Sequence, residues 1–124
     1  MARILVVDNE ELARFAIRKI LLSAGHEVVE AENGEVATEM CVTDVFDLVV
    51  TDILMPEKEG IETIMDLKRH NPQQKIIAIS GGGRDRYQGY LQTATELGAD
   101  DTLAKPFTGE ALLGRVDACL KAVG

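Results

Sequence analysis

The sequence is short of positive charge, cysteine, aromatic rings and long apolar runs, and each shortage removes a class of protein. Thirteen Lys and Arg stand against 21 Asp and Glu, a formal net charge of -8. Such a chain repels the backbone of nucleic acid and the anionic surface of membranes, so no nucleic acid and no membrane is expected among its partners. Cys41 and Cys119 lie far apart and outside any C-x-x-C pattern. They signal neither a disulfide framework nor a zinc site, and they fit a reducing compartment. No apolar run approaches the ~20 residues that span a bilayer, and "MARILVVDNE" lacks the apolar stretch of a signal peptide, so a cytoplasmic location is expected. Aromatic residues make up 4% of the chain, which leaves the core to aliphatic side chains.

What is present is a chain of 124 residues, 46% hydrophobic and 27% charged, the size and composition of one soluble domain spanning residues 1–124. Five short segments rich in Val, Ile and Leu read as strands: "RILVVD" (3–8), "EVVEA" (27–31), "DLVVTD" (47–52), "KIIAIS" (75–80) and "DTLA" (101–104). The first, quoted with its sequel as "ILVVDNEE", reads as a central strand with Asp8 at its tip. A helix follows each. Leu12, Phe15, Ala16, Lys19, Ile20 and Leu22 are spaced as one apolar stripe, and Gly25 stops that helix after Ala24. Asn33 can cap a short helix to about Cys41, and residues 60–70 carry Ile61, Ile64, Met65 and Leu67 before Pro72 breaks the pattern. Residues 86–97 and 109–122 complete the set, with Gly98 ending the first and Thr108 a cap for the second. Strict alternation with near-continuous apolar strands predicts an open, doubly wound parallel sheet covered by helices on both faces. No second domain is expected.

In such sheets ligands bind beyond the carboxyl ends of the strands. Asp8, Asn9 and Glu10 follow the first strand, Asp52 ends the third, Ser80 ends the fourth and Lys105 follows the fifth. Carboxylates gathered this closely repel one another unless a cation lies among them, and an oxygen-rich site that keeps waters suits Mg²⁺. A carboxylate beside Mg²⁺, an ammonium and a hydroxyl is equipped to attack phosphorus, and Asp52, flanked by "LVV" and "ILMP", is the nucleophile best held in place.

At this point the sequence resembles the receiver domain of two-component response regulators, and the resemblance covers nearly the whole chain. Its carriers are "VVDNE", "TDILMP" with Gly60, "IAIS" and "LAKPF", in order and each at the end of the right strand. The resemblance implies a flavodoxin-like sheet of order 2-1-3-4-5 with five helices. It implies that Asp52 accepts a phosphoryl group from a sensor histidine kinase or a histidine phosphotransfer protein. It further implies Mg²⁺ held by Asp8, by Asp52, by the backbone carbonyl of Leu54 and, more weakly, by Asn9. Lys105 would pair with Asp52 and then with the phosphoryl group, Ser80 would bond a phosphoryl oxygen, and the Lys105–Pro106 bond would be cis. The implied product is a stand-alone switch, monomeric or weakly dimeric, that is not an enzyme on outside substrates and that signals through the face of helix four, strand five and helix five.

Several residues depart from that pattern. Asn9 stands where the family usually has its second acid, so weaker Mg²⁺ binding is expected, with Glu10 pointing into the first helix as an early-turn acid. Thr102, three residues before Lys105, replaces the usual Tyr or Phe and cannot sweep a ring-sized volume. "GGGRDR" (81–86) follows Ser80 and is expected to tighten when phosphate binds. Leu54 and Gly82 offer no polar group to position water, so slow self-dephosphorylation is expected. Arg84 and Arg86 read as a solvated pair, and Tyr87 and Tyr90 as packing or surface positions. His26 and His70 sit alone at element ends, and Cys41 and Cys119 read as small buried apolar residues. Two rivals remain: a degenerate receiver acting as a constitutive interaction module, and a flavin- or nucleotide-binding domain of the same topology. The second needs a glycine- or hydroxyl-rich loop after the first strand, where "DNEE" would repel a cofactor phosphate.

Overall fold

The computed structural model describes residues 2–53, 59–80 and 92–121. In chain order the elements are β1 (Arg3–Val7), α1 (Glu11–Ser23), β2 (Glu27–Ala31), α2 (Gly34–Thr43), β3 (Leu48–Asp52), α3 (Glu59–His70), β4 (Ile76–Ser80), α4 (helical residues 92–96), β5 (Asp101–Ala104) and α5 (Gly109–Lys121). All five strands are parallel, in the order β2-β1-β3-β4-β5. The middle strand is therefore β3, and β1 is interior between β2 and β3.

Alternation along the strands sorts the core into two layers, because successive side chains leave a strand on opposite faces. Leu5, Val7, Val49, Ile76 and Ala78 pack with Ala37 of α2, Ile64 and Leu67 of α3 and Ala94 of α4. Ile4, Val6, Leu48, Val50, Ile77 and Ile79 pack on the other face with Ile17 and Leu21 of α1 and Leu112, Val116 and Cys119 of α5. Each such aliphatic side chain stabilises the fold by about 1.5–3 kcal/mol when it leaves water, which is how a chain with few rings holds a sheet.

Helix boundaries follow the local chemistry. Asn33 accepts from the Val36 amide at 2.8 Å and caps α2, and Thr108 Oγ1 accepts from Ala111 at 3.0 Å ahead of α5. Gly25 (φ 86°) and Gly98 (φ 118°) take the left-handed conformation where α1 and α4 end.

The expected stripe on α1 is not the buried one. Leu12, Phe15 and Leu22 are exposed, and the face against the sheet is Ile17 and Leu21 with Ala13 and Ile20 partly covered. This helix carries two apolar stripes, and spacing alone does not say which one meets the sheet. Two lesser differences also emerge. Glu10 is the N-cap residue of α1 and not a first-turn acid, that place falling to Glu11. His26 is buried, its Nδ1 accepting from the Ala2 amide at 3.1 Å.

Gly60 shows why the first turn of α3 admits no side chain. A Cβ there would lie 2.2 Å from Ile53 Cα and 2.6 Å from its carbonyl oxygen. The helix thus presses directly on the residue that follows Asp52. Among the described residues, no helix is long and apolar enough to cross a membrane.

Candidate functional site

Register brings the strand ends together. Val7 pairs with Thr51, Asp52 with Ile79, and Ser80 with Ala104. Asp8, Asp52, Ser80 and Lys105 consequently emerge within one residue step of each other at one edge of the sheet. The two carboxylates are buried, Asp8 at 1% and Asp52 at 6% exposure. Lys105 Nζ lies 3.4 Å from Asp8 Oδ2 and 3.3 Å from Asp52 Oδ2. Both distances exceed the roughly 2.7–2.9 Å of a tight charge-assisted bond, so the ammonium is shared between the carboxylates and not committed to either. The Lys105–Pro106 peptide is cis, as the resemblance implied.

Electrostatics reflect the crowding. Burial raises the Asp8 carboxyl above the ordinary carboxylate range; the Glu10 amide opposes this, and the Asp52 charge adds to it. Burial pulls Lys105 down, but Asp52 and Asp8 outweigh it and the net shift is upward. One ammonium thus gains from two carboxylates, while Asp8 remains undercompensated.

The other Asp8 oxygen, Oδ1, accepts from the Glu10 amide at 2.9 Å, so this side chain both faces the site and ties the loop that leads into α1. Ser80 is fully buried, and its hydroxyl has no hydrogen-bond partner among the described residues. Leaving such a group unpaired costs about 1–3 kcal/mol, a cost that an incoming oxygen would remove. Asn9 is exposed immediately beside Asp8. Leu54, Met55, Pro56, Gly82 and the whole of 81–91, including "GGGRDR", Tyr87 and Tyr90, lie outside the described residues. Thr102 is half-buried on the edge strand β5, opposite Ala78.

The donor set fits a hard divalent cation. The buried carboxylates of Asp8 and Asp52, with Asn9 exposed next to Asp8, would offer oxygen ligands to such an ion, which would keep waters at its other positions. No group of three or more His, Cys, Asp or Glu able to hold a metal occurs among the described residues.

Sequence reasoning missed Arg14. Its Nη1 donates to the main-chain carbonyl of Asp8 at 2.6 Å and its Nε to Glu30 Oε1 at 3.2 Å. The signal available was a basic residue at the end of the first helical turn after the acidic loop, but nothing in the pattern told where it would reach.

The chain matches the family model of the response regulator receiver domain over residues 4–117. It is 39% identical over 119 residues to chemotaxis protein CheY of Bacillus subtilis (strain 168), covering 95% of this chain and 97% of that protein. It is 34% identical over 122 residues to transcriptional regulatory protein CpxR of Escherichia coli (strain K12), covering 98% of this chain and 50% of CpxR. Among solved structures, the CheY-like receiver domain protein of Methanospirillum hungatei JF-1 superposes with a TM-score of 0.86 at 26% identity, over 97% of this chain and 94% of the other. By sequence pattern, strand order and site geometry together, the chain belongs to the response regulator receiver domains.

Proposed function

We propose that the chain is a phosphoacceptor switch, in which Asp52 takes a phosphoryl group from a phosphohistidine on a sensor kinase or phosphotransfer protein. The observation that carries this reading is a pair of buried carboxylates sharing Lys105 at the strand edge where the Ser80 hydroxyl has no partner among the described residues. An Asp52 oxygen attacks phosphorus, the phosphorus–nitrogen bond to the donor imidazole breaks, and a phosphorus–oxygen bond forms. Lys105 then turns from the carboxylate to the phosphoryl oxygens, and the Ser80 hydroxyl donates to one of them. Asp8, Asp52 and, with less charge, Asn9 would hold Mg²⁺, with the Leu54 carbonyl as a further ligand. The ion supplies positive charge against the oxygens of the transferring group. Nothing outside the chain is turned over, so the protein acts as a switch and not as an enzyme on other substrates.

A donor protein has to approach this same edge. There α1 presents Leu12, 82% exposed, and Phe15, 50% exposed. On the flank of α1 away from Phe15, which lines the cleft of Arg14 and Arg18, a cleft of about 510 Å³ is lined by Ala16, Ile20, Lys105 and Phe107. This apolar flank, continuous with Lys105, gives a histidine-bearing partner its footing, while output uses the face of α4, β5 and α5.

Intact-mass measurement after incubation with acetyl phosphate and Mg²⁺ tests the reading. The wild-type chain gains one phosphoryl group; Asp52→Asn gains none, and a chelator suppresses the gain. No gain in the wild type contradicts it and leaves the constitutive interaction module, which the exposed Asn9 in place of an acid would then favour.

A further inference from the structure

The loop from Asp8 to Glu10 carries two of the residues that would hold the ion, yet little of its backbone is held by the sheet. The Asp8 amide donates to Ala31 at 3.2 Å, the last rung of the β1–β2 ladder. Its carbonyl is one residue beyond β1 and takes its hydrogen bond from a side chain, Arg14 Nη1, at 2.6 Å. The N-cap residue of α1, Glu10, caps nothing with its own side chain.

Arg14 is itself held. Its side chain is 15% exposed, and its Nε lies 3.2 Å from Glu30 Oε1 on the edge strand β2. The second Glu30 oxygen faces Arg18 Nε at 3.8 Å. A planar guanidinium with one nitrogen on a carboxylate and another on a carbonyl fixes both partners in direction as well as distance. The strut stands on the flank of α1 opposite Lys105. Arg14 and Arg18 line a cleft with Glu30 and Glu32, whereas Ala13, Ile17 and Ile20 line the cleft shared with Lys105. Lys105 therefore holds the Asp8 carboxylate from one side of the helix, and Arg14 holds the Asp8 carbonyl from the other.

We infer that Arg14, anchored by Glu30, is a positioning residue that sets the ion-binding loop by fixing the Asp8–Asn9 peptide plane. Because that plane determines where Asn9 leaves β1, the strut matters more in this chain than an additional acid would require: an uncharged amide draws the ion weakly and has to be held in place. Outer partners of metal ligands are commonly worth about 10–100-fold in affinity. The inference rests on the proposed Mg²⁺ site but is read partly without it.

The test uses the full chain with Mg²⁺ alone as probe, following the loop amides by NMR. Hydrogen exchange of the Glu10 amide, which donates to Asp8 Oδ1, is recorded without metal. Arg14→Ala weakens Mg²⁺ about tenfold and speeds Glu10 exchange. Glu30→Ala does the same to a smaller degree, and the double variant is no worse than Arg14→Ala, since both act through one contact. Arg14→Lys, which keeps the charge without the rigid fork, falls between wild type and Arg14→Ala. Arg18→Ala removes the other guanidinium from Glu30 and leaves both readouts at wild-type values. Wild-type affinity and exchange in Arg14→Ala, or an equal loss in Arg18→Ala, overturns the inference. If the wild type shows no Mg²⁺ response, the proposed ion site fails, and exchange alone decides: faster in Arg14→Ala but not in Arg18→Ala upholds the strut, and no change overturns it.

Discussion

The two ends of the strands treat charge in opposite ways. At the amino ends charges are matched: Arg3 pairs with Glu27 and Asp44, its amide donates to Asp47, and its guanidinium lies 4.8 Å from the centre of the Phe46 ring. Lys68 donates to the Gln74 carbonyl at 2.6 Å and faces Asp100, whose carboxylate accepts from the Ile76 amide at 2.8 Å. At the carboxyl ends Asp8 and Asp52 are buried around a shared Lys105, Asp8 is undercompensated, and the buried Ser80 hydroxyl has no partner among the described residues. One edge is arranged for stability; the other carries a cost in the resting fold that a cation and a phosphoryl group would relieve.

The largest way to break this contrast is Gly60→Ala. The new Cβ would collide with Ile53 backbone, and overpacking of this kind costs about 1–3 kcal/mol. Thermal unfolding should show that loss, and phosphorylation of the neighbouring Asp52 by acetyl phosphate should slow with it. Asn9→Asp sharpens the contrast from the other direction. A third carboxylate should tighten Mg²⁺ by about tenfold while lowering Tm without metal, as isothermal titration and calorimetry would read; unchanged affinity would dismiss Asn9 as a ligand.

The matched edge offers smaller effects. Cys119 on α5 is raised from 9.0 to about 11, by burial first and then by Asp100 and Asp101. A folded-state value above the unfolded one means that the native chain binds the proton more tightly. Stability from this thiol is therefore fully present below pH 9 and is lost as pH climbs through 9.0 toward 11. Native-state alkylation should stay slow at pH 8 and accelerate only toward that upper value. Smallest of all, Asp44→Asn should lower Tm slightly and leave Mg²⁺ binding untouched, because its partner Arg3 lies at the opposite edge.

Much of this was legible in the sequence because strand ends do the positioning. Aliphatic runs terminated by Asp8, Asp52 and Ser80, and followed by Lys105, place four polar groups at one edge once the strands are parallel. The face of α1 was not legible, since Leu12, Phe15 and Leu22 are spaced as well as Ile17 and Leu21, and only packing against α5 and the sheet decides between them. Arg14 was not legible for another reason. Its role depends on a long side chain reaching a main-chain carbonyl and a residue sixteen positions away, and no periodicity encodes that reach. The cis bond before Pro106 was expected only through family resemblance.

The contrast between the edges is tested most directly by the Tm of Asp8→Asn, measured against wild type in metal-free buffer and again at saturating Mg²⁺. Removing a buried, undercompensated carboxylate should raise Tm without metal, and the order should reverse with Mg²⁺ because the variant gains less from the ion. A variant less stable than wild type in metal-free buffer would contradict the claim that this edge is held at a cost until a cation arrives.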